Sequence, residues 1–220
     1  MINSLSIICM LNIDLLESNW LDLIAKFNVD QQLGKTIFVD LSQTYSNKKR
    51  HYHNLNHIQH LLNLIEEAKI IADRLSVIQL AAWFHDYVYH PQAKDNEIKS
   101  AIYAEQTLNN LNIAPDIIQS VKQIILSTQK HQPLIDSIDN LIFLDVDLAI
   151  LGTSPSLYAK YAQAIRQEYS WLSDRNYQQG RKAILTNFLS KERIYYTDYF
   201  YRQLELTARA NLTAEISLYV

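Results

Sequence analysis

Ser76-Val77-Ile78-Gln79-Leu80-Ala81-Ala82-Trp83-Phe84-His85-Asp86-Tyr87-Val88-Tyr89 is the stretch whose reading decides the fold. It carries almost no polar residue before His85, so its apolar groups cover the whole circumference of a helix. A helix without a polar face is a buried one. The expected element runs from about Ser76 to Tyr89, ended by Pro91, whose ring cannot continue a helix. Two metal-binding side chains, His85 and Asp86, therefore sit at the end of the most apolar helix in the chain. A buried carboxylate without a partner is expensive, so Asp86 calls for a metal or a cationic neighbour. A helix end capped by a His–Asp hydrogen bond is the plainer alternative.

Working outward, the apolar spacing is helical almost throughout. Expected helices cover about 14–27, 31–45, a segment entered from His51–His60 and continuing to Ala68, then about 94–111, 115–130, 137–151, 155–172, 176–190 and 197–217. Pro115 and Pro155 suit first helical turns, with Ser154 as an N-cap, and Gly152 is placed to end the helix before it. The chain has three glycines, Gly34, Gly152 and Gly180. That scarcity favours helices over strands and phosphate-cradling loops. Gly34-Lys35-Thr36 imitates the end of a phosphate-binding loop, but the residue five positions earlier is Val29 rather than glycine, so it reads as ordinary helix surface.

The 220 residues suit a single helical domain with a core of its own, and no linker, repeat or low-complexity tract interrupts them. A net charge of −3 offers no general field for nucleic acid or an anionic membrane, so neither is an expected partner. The lone cysteine, Cys9, excludes an intrachain disulfide and fits a reducing, cytoplasmic setting. The apolar run Leu5–Leu11 lacks the basic flank and cleavage site of a signal peptide, and Met10 is a possible internal start. No stretch approaches the ~20 apolar residues of a membrane span.

His85-Asp86 is flanked in sequence by other groups of the same chemistry. Upstream lies Arg50-His51-Tyr52-His53-Asn54-Leu55-Asn56-His57, and downstream Phe143-Leu144-Asp145-Val146-Asp147-Leu148, with two carboxylates in an apolar helix. The order His, His-Asp, Asp supplies two imidazoles and two carboxylates from separate helices. Mixed nitrogen and oxygen ligation suits a divalent ion such as Mn, Fe, Co, Ni, Zn or Mg.

This order resembles the HD superfamily of metal-dependent phosphohydrolases, named for its adjacent His-Asp pair, and within it the small bacterial proteins described as predicted metal-dependent HD phosphohydrolases. The resemblance covers about residue 50 to the C-terminus. It continues through Asp95-Asn96-Glu97, Asp145-Val146-Asp147-Leu148-Ala149-Ile150-Leu151-Gly152, Ile165-Arg166-Gln167-Glu168-Tyr169 and Glu205-Leu206-Thr207-Ala208-Arg209-Ala210-Asn211-Leu212. It implies an all-α HD-type bundle, with a metal-binding core at about 50–152 and a helical extension at about 153–220. The implied ligands are His57, His85, Asp86 and one aspartate of the Asp145/Asp147 pair. The pair lies about 200° apart on a helix, so only one can face the ion. The family's last aspartate is closely followed by an apolar residue, which favours Asp147 and leaves Asp145 to a supporting or solvent role.

His57 opens a clear apolar periodicity and is the preferred imidazole ligand. His53, four residues earlier, would contact the site from outside the ligand set, while His51 and His60 read as surface. Glu97 and His131 are proton-transfer candidates, each also explained by the helix dipole. Arg50, Arg166 and Arg181 are candidate phosphate clamps or plain surface charges. The C-terminal Tyr195, Tyr196, Tyr199 and Tyr201 would pack with their hydroxyls at the surface. The resemblance implies hydrolysis of a nucleotide or other small phosphate ester by water that the metal activates. A di-iron oxygenase of the same superfamily needs further histidines between His-Asp and the last aspartate, where this chain has only His90 and His131. A metal-stabilised binding protein without turnover is the third reading.

Overall fold

A computed structural model describes residues 11–219. The apolar run Leu5–Leu11, apart from Leu11 itself, lies outside the described residues, as do Cys9 and Met10. The fold is all-α: among the described residues there are ten α-helices and two short 3₁₀ turns, and no strand. The described residues divide into two compact units, 11–144 and 145–219. No described helix is long and apolar enough to cross a membrane.

The first unit holds α1 (Ile13–Ala25), α2 (Gln31–Tyr45), α3 (Leu55–Glu67), α4 (Leu75–Phe84), α5 (Asn96–Asn110), α6 (Pro115–Thr128) and most of α7 (Ile138–Asp147). Its centre is α4, whose Val77, Ile78, Leu80, Ala81, Ala82, Trp83 and Phe84 are all buried. Helices α3, α5 and α6 pack on it. The first two helices, expected outside the metal-binding core, build the bed of that centre. Trp20 meets Trp83 and Phe84 edge-on at 5.6 and 6.0 Å, and Phe38 meets Trp83 at 5.9 Å. The Tyr45 hydroxyl donates to the Trp83 carbonyl at 2.9 Å. Such edge-to-face pairs add to area burial and hold the last turn of α4 in place.

Two features of this unit differ from the sequence reading. Gly34 is buried, not surface: a Cβ there would lie 2.0 Å from Ile24 Cδ1, and its carbonyl accepts from Trp20 Nε1 at 2.9 Å. The glycine thus permits close approach of α1 and α2. Helix α4 also stops at Phe84, seven residues before Pro91. The backbone beyond is held by tertiary partners instead of a helical ladder. Arg50 takes the carbonyls of Asp86 and Tyr87, both at 2.7 Å, and Ser100 Oγ accepts from Val88 N–H at 3.0 Å.

The second unit holds α8 (Pro155–Glu168), α9 (Asp174–Ser190) and α10 (Asp198–Ser217), with a 3₁₀ turn at Ala149–Gly152 against which α8 and α10 pack. Gly152 is required by contact, since a Cβ would fall 2.6 Å from Leu204 Cβ. The expected helix 137–151 is therefore an α-helix to Asp147 followed by this tighter turn. Tyr195 does not keep its hydroxyl at the surface. It is fully buried and donates to the Leu148 carbonyl at 3.1 Å.

Candidate metal centre

Within the first unit, three side chains converge. His57 comes from the buried face of α3, beside Leu55, Ile58 and Leu61. His85 caps the C-terminal end of α4, and Asp86 follows it. His57 Nε2 and His85 Nε2 lie 3.3 Å apart. Asp86 Oδ2 lies 3.0 Å from His85 Nε2 and 3.9 Å from His57 Nε2. Both imidazoles are buried, 4% and 2% exposed.

The chemistry of this donor set fits a cation. His85 Nδ1 lies 3.0 Å from the Ala82 carbonyl, an acceptor that calls for the ring proton on Nδ1 and leaves the Nε2 lone pair pointing at His57 and Asp86. Two imidazole nitrogens and a carboxylate oxygen facing one another are satisfied by a metal ion or by a proton among them. In the protonated state, burial pushes the Asp86 carboxyl up, but the charges of His85 and His53, the His85 hydrogen bond and His57 together hold it well below the usual carboxylate range.

The surroundings hold the imidazoles by ring contacts. Phe143, from α7, stands edge-on to His85 at 5.4 Å. Tyr52 packs on His57 at 4.8 Å and on His53 at 5.0 Å. His53 lies ahead of α3, which begins at Leu55 behind the N-cap Asn54. It stacks on Tyr89 at 4.2 Å, with Nε2 4.0 Å from Asp86 Oδ2. The histidine expected outside the ligand set therefore does border the site, although it is not on the helix. Asn54 shapes this approach by donating to the carbonyls of Arg50 and His51 at 3.3 and 3.1 Å.

The Asp145/Asp147 pair is separated by its partners. Asp145 is 0% exposed and accepts from Tyr196 N–H at 2.6 Å, Thr197 N–H at 2.7 Å and Thr197 Oγ at 2.7 Å. Burial pushes its carboxyl up to about 6, against the pull of the Thr197 and Tyr196 donors. It anchors the start of α10 and has no solvent role. Asp147, half-buried, follows Phe143 by one helical turn and so shares its face of α7. His57, His85 and Asp147 make a group that could hold a metal ion.

The remaining candidates take varied places. Arg50 spends its guanidinium on three carbonyls, of His53 at 3.2 Å and of Asp86 and Tyr87, and lies over the Tyr45 ring at 5.0 Å. It ties the His51–Asn54 segment to the backbone that carries Asp86. Arg166 closes the end of α8 on the Tyr169 and Leu172 carbonyls and on Asp174. Arg181 is buried and paired with Glu215 through Nε–Oε1 at 2.9 Å and Nη2–Oε2 at 3.1 Å. All three arginines are thus built into the fold, a role their positions in sequence do not disclose. Glu97 is half-buried in the first turn of α5 and has no hydrogen-bond or ion-pair partner among the described residues. His131 lies just past α6 in a left-handed conformation, φ 46°.

Sequence reasoning missed two things. His60 is half-buried, not surface, with Nε2 sealed and without a hydrogen-bond partner among the described residues. Asp40 carries no signal in the sequence, yet it accepts from Tyr87 Oη at 2.9 Å and from Tyr103, securing the turn after Asp86. No local pattern marks an aspartate whose partners lie 47 and 63 residues away. Compared with protein families and with curated proteins, the chain matches no family model and no curated protein.

Proposed function

We propose that the chain is a metal-dependent phosphohydrolase of the HD type, acting on a nucleotide or another small phosphate ester. The observation that carries this reading is the convergence of His57 Nε2, His85 Nε2 and Asp86 Oδ2 at a buried point. His57, His85, Asp86 and Asp147 would hold the divalent ion. Such an ion supplies Lewis-acid stabilisation of phosphoryl oxygens and brings the pKa of water toward neutrality. His53 borders Asp86, which makes its Nε2 a candidate to hold or pass a proton, with Glu97 and His131 as the other candidates for that transfer. Arg50 keeps Asp86 in position through the carbonyls it binds. The order of the motifs, resembling HD phosphohydrolases, supports the choice of phosphate chemistry over other uses of a metal.

The test is a panel of nucleotides and small phosphate esters assayed with Mn, Fe, Co, Ni, Zn and Mg, beside elemental analysis of the purified chain. Metal-dependent release of phosphate that His85→Ala abolishes is the expected result. Two iron ions per chain with oxygen consumption would favour the oxygenase reading. Stoichiometric metal without turnover on any ester would favour a binding protein.

A further inference from the structure

The second unit contains a cleft of about 670 Å³ among α8, α9 and α10, built entirely from residues 155–219. That size lies within the range of small-molecule sites. Glu215 lines it and is neutralised by Arg181, which does not line it. Glu215 binds Arg181 through both oxygens and also accepts from Tyr158 and, at 2.5 Å, from Tyr219. Arg166, which also lines the cleft, is engaged by Asp174 and two carbonyls. The cleft therefore has little charge left for an ionic ligand.

What it does offer is aromatic wall and an open acceptor. Tyr158 and Tyr177 line it and are buried. Asn211, 5% exposed, lines it too. Its Nδ2 donates to the Leu151 and Thr153 carbonyls, both at 2.9 Å. Those two acceptors settle which end of the amide is nitrogen. The other end, Oδ1, is an acceptor without a donor among the described residues. The Tyr177 hydroxyl beside the same cleft is buried and likewise has no hydrogen-bond partner there. A buried hydroxyl left without a partner is uncommon in a folded chain, and the Asn211 oxygen, on a residue that lines the cleft, is not sealed from solvent. On the open side, Ala159, Ala162 and Ala214 leave room that larger side chains would fill.

We propose that this cleft is a second binding site, for an uncharged aromatic small molecule that carries one N–H or O–H donor. The donor meets Asn211 Oδ1, and the ring packs among Tyr158, Tyr177 and the three alanines. A phosphate is disfavoured, because its negative charge meets no unpaired cation among the residues that line the cleft. The site is separate from the proposed hydrolase centre, and its ligand is a different class of compound from that centre's substrate.

The probes are 2-naphthol, 2-methylnaphthalene and inorganic phosphate, each titrated by calorimetry into the full chain. Saturable binding of 2-naphthol is expected, with 2-methylnaphthalene about 2- to 10-fold weaker, as the loss of one hydrogen bond implies, and no heat from phosphate at this site. Ala159→Trp on α8 and Ala214→Trp on α10 fill the cleft from opposite sides at exposed positions, so each should abolish 2-naphthol binding while melting temperature and metal content stay unchanged. Absence of saturable 2-naphthol binding to the wild type would overturn the proposal. So would binding that survives both tryptophans, equal affinity for the two naphthalenes, or a self-association that the probe displaces. None of these results bears on phosphatase activity, which can fail independently.

Discussion

The Nε2 atoms of His57 and His85 face one another at 3.3 Å although 28 residues separate them. Under the proposed function, these two nitrogens and the Asp86 Oδ2 beside them would serve as ligands. Removing one should therefore cost the ion itself. His85→Ala and Asp86→Ala are each expected to lose stoichiometric metal, measured by elemental analysis. Added metal should raise the melting temperature of the wild type and not of the variants, because it binds only the folded chain. Full metal in either variant would sink the assignment.

The two aspartates of α7 should fail in different ways. Asp147→Asn is expected to lose metal at unchanged fold. Asp145→Asn should keep metal but lose about 1–3 kcal/mol of stability, because an amide NH₂ would face donors that now meet a carboxylate. Urea unfolding beside metal content separates the two. A stable, metal-free Asp145→Asn would reverse the assignment.

Arg50 should behave as a positioning residue, not as a substrate clamp. Its three carbonyl contacts predict that Arg50→Ala lowers stability by about 2–4 kcal/mol and weakens metal binding about 10- to 100-fold, since Asp86 would lose its backbone support. A raised KM with unchanged melting temperature and metal affinity would instead make it a phosphate contact.

Glu97 has no partner among the described residues, which leaves its carboxylate available for the proposed proton transfer. Glu97→Gln is expected to keep metal and helix and to lower kcat by on the order of 10²–10⁴. A near wild-type kcat with a loss of about 0.3–1 kcal/mol in stability would reduce Glu97 to a helix-dipole role.

His60 predicts a pH dependence. Burial, and then the charge of His57, pulls its imidazole down to about 4. The folded chain thus holds this proton less tightly than the unfolded one, whose value is about 6.5. The resulting stability is complete above about pH 6.5 and is lost as pH falls through about 4. The lost share is up to about 3 kcal/mol. His60→Leu should flatten the stability curve across that window, measured as urea midpoints from about pH 4 to 7.5. Parallel curves for variant and wild type would contradict it.

Apolar periodicity determined the all-α fold and nearly every helix, because which face of a helix is apolar is written in residues three and four apart. The same local record exposed His57, His85 and Asp86, as polar groups on or ending the most apolar segments. Partners distant in the chain decided the rest. Asp145 and Asp147 are chemically identical in sequence, and only Tyr196 and Thr197, 51 and 52 residues away, engage one of them in place of a metal role. Arg50, Arg166 and Arg181 read alike as exposed cations until carbonyls and Glu215 engage them. Helix α4 ends at Phe84, and beyond it Arg50, 36 and 37 residues upstream of Asp86 and Tyr87, takes the carbonyls of those two residues. A hydrogen bond is satisfied by whatever donor the fold delivers, and that delivery is a property of packing that no short stretch of sequence contains.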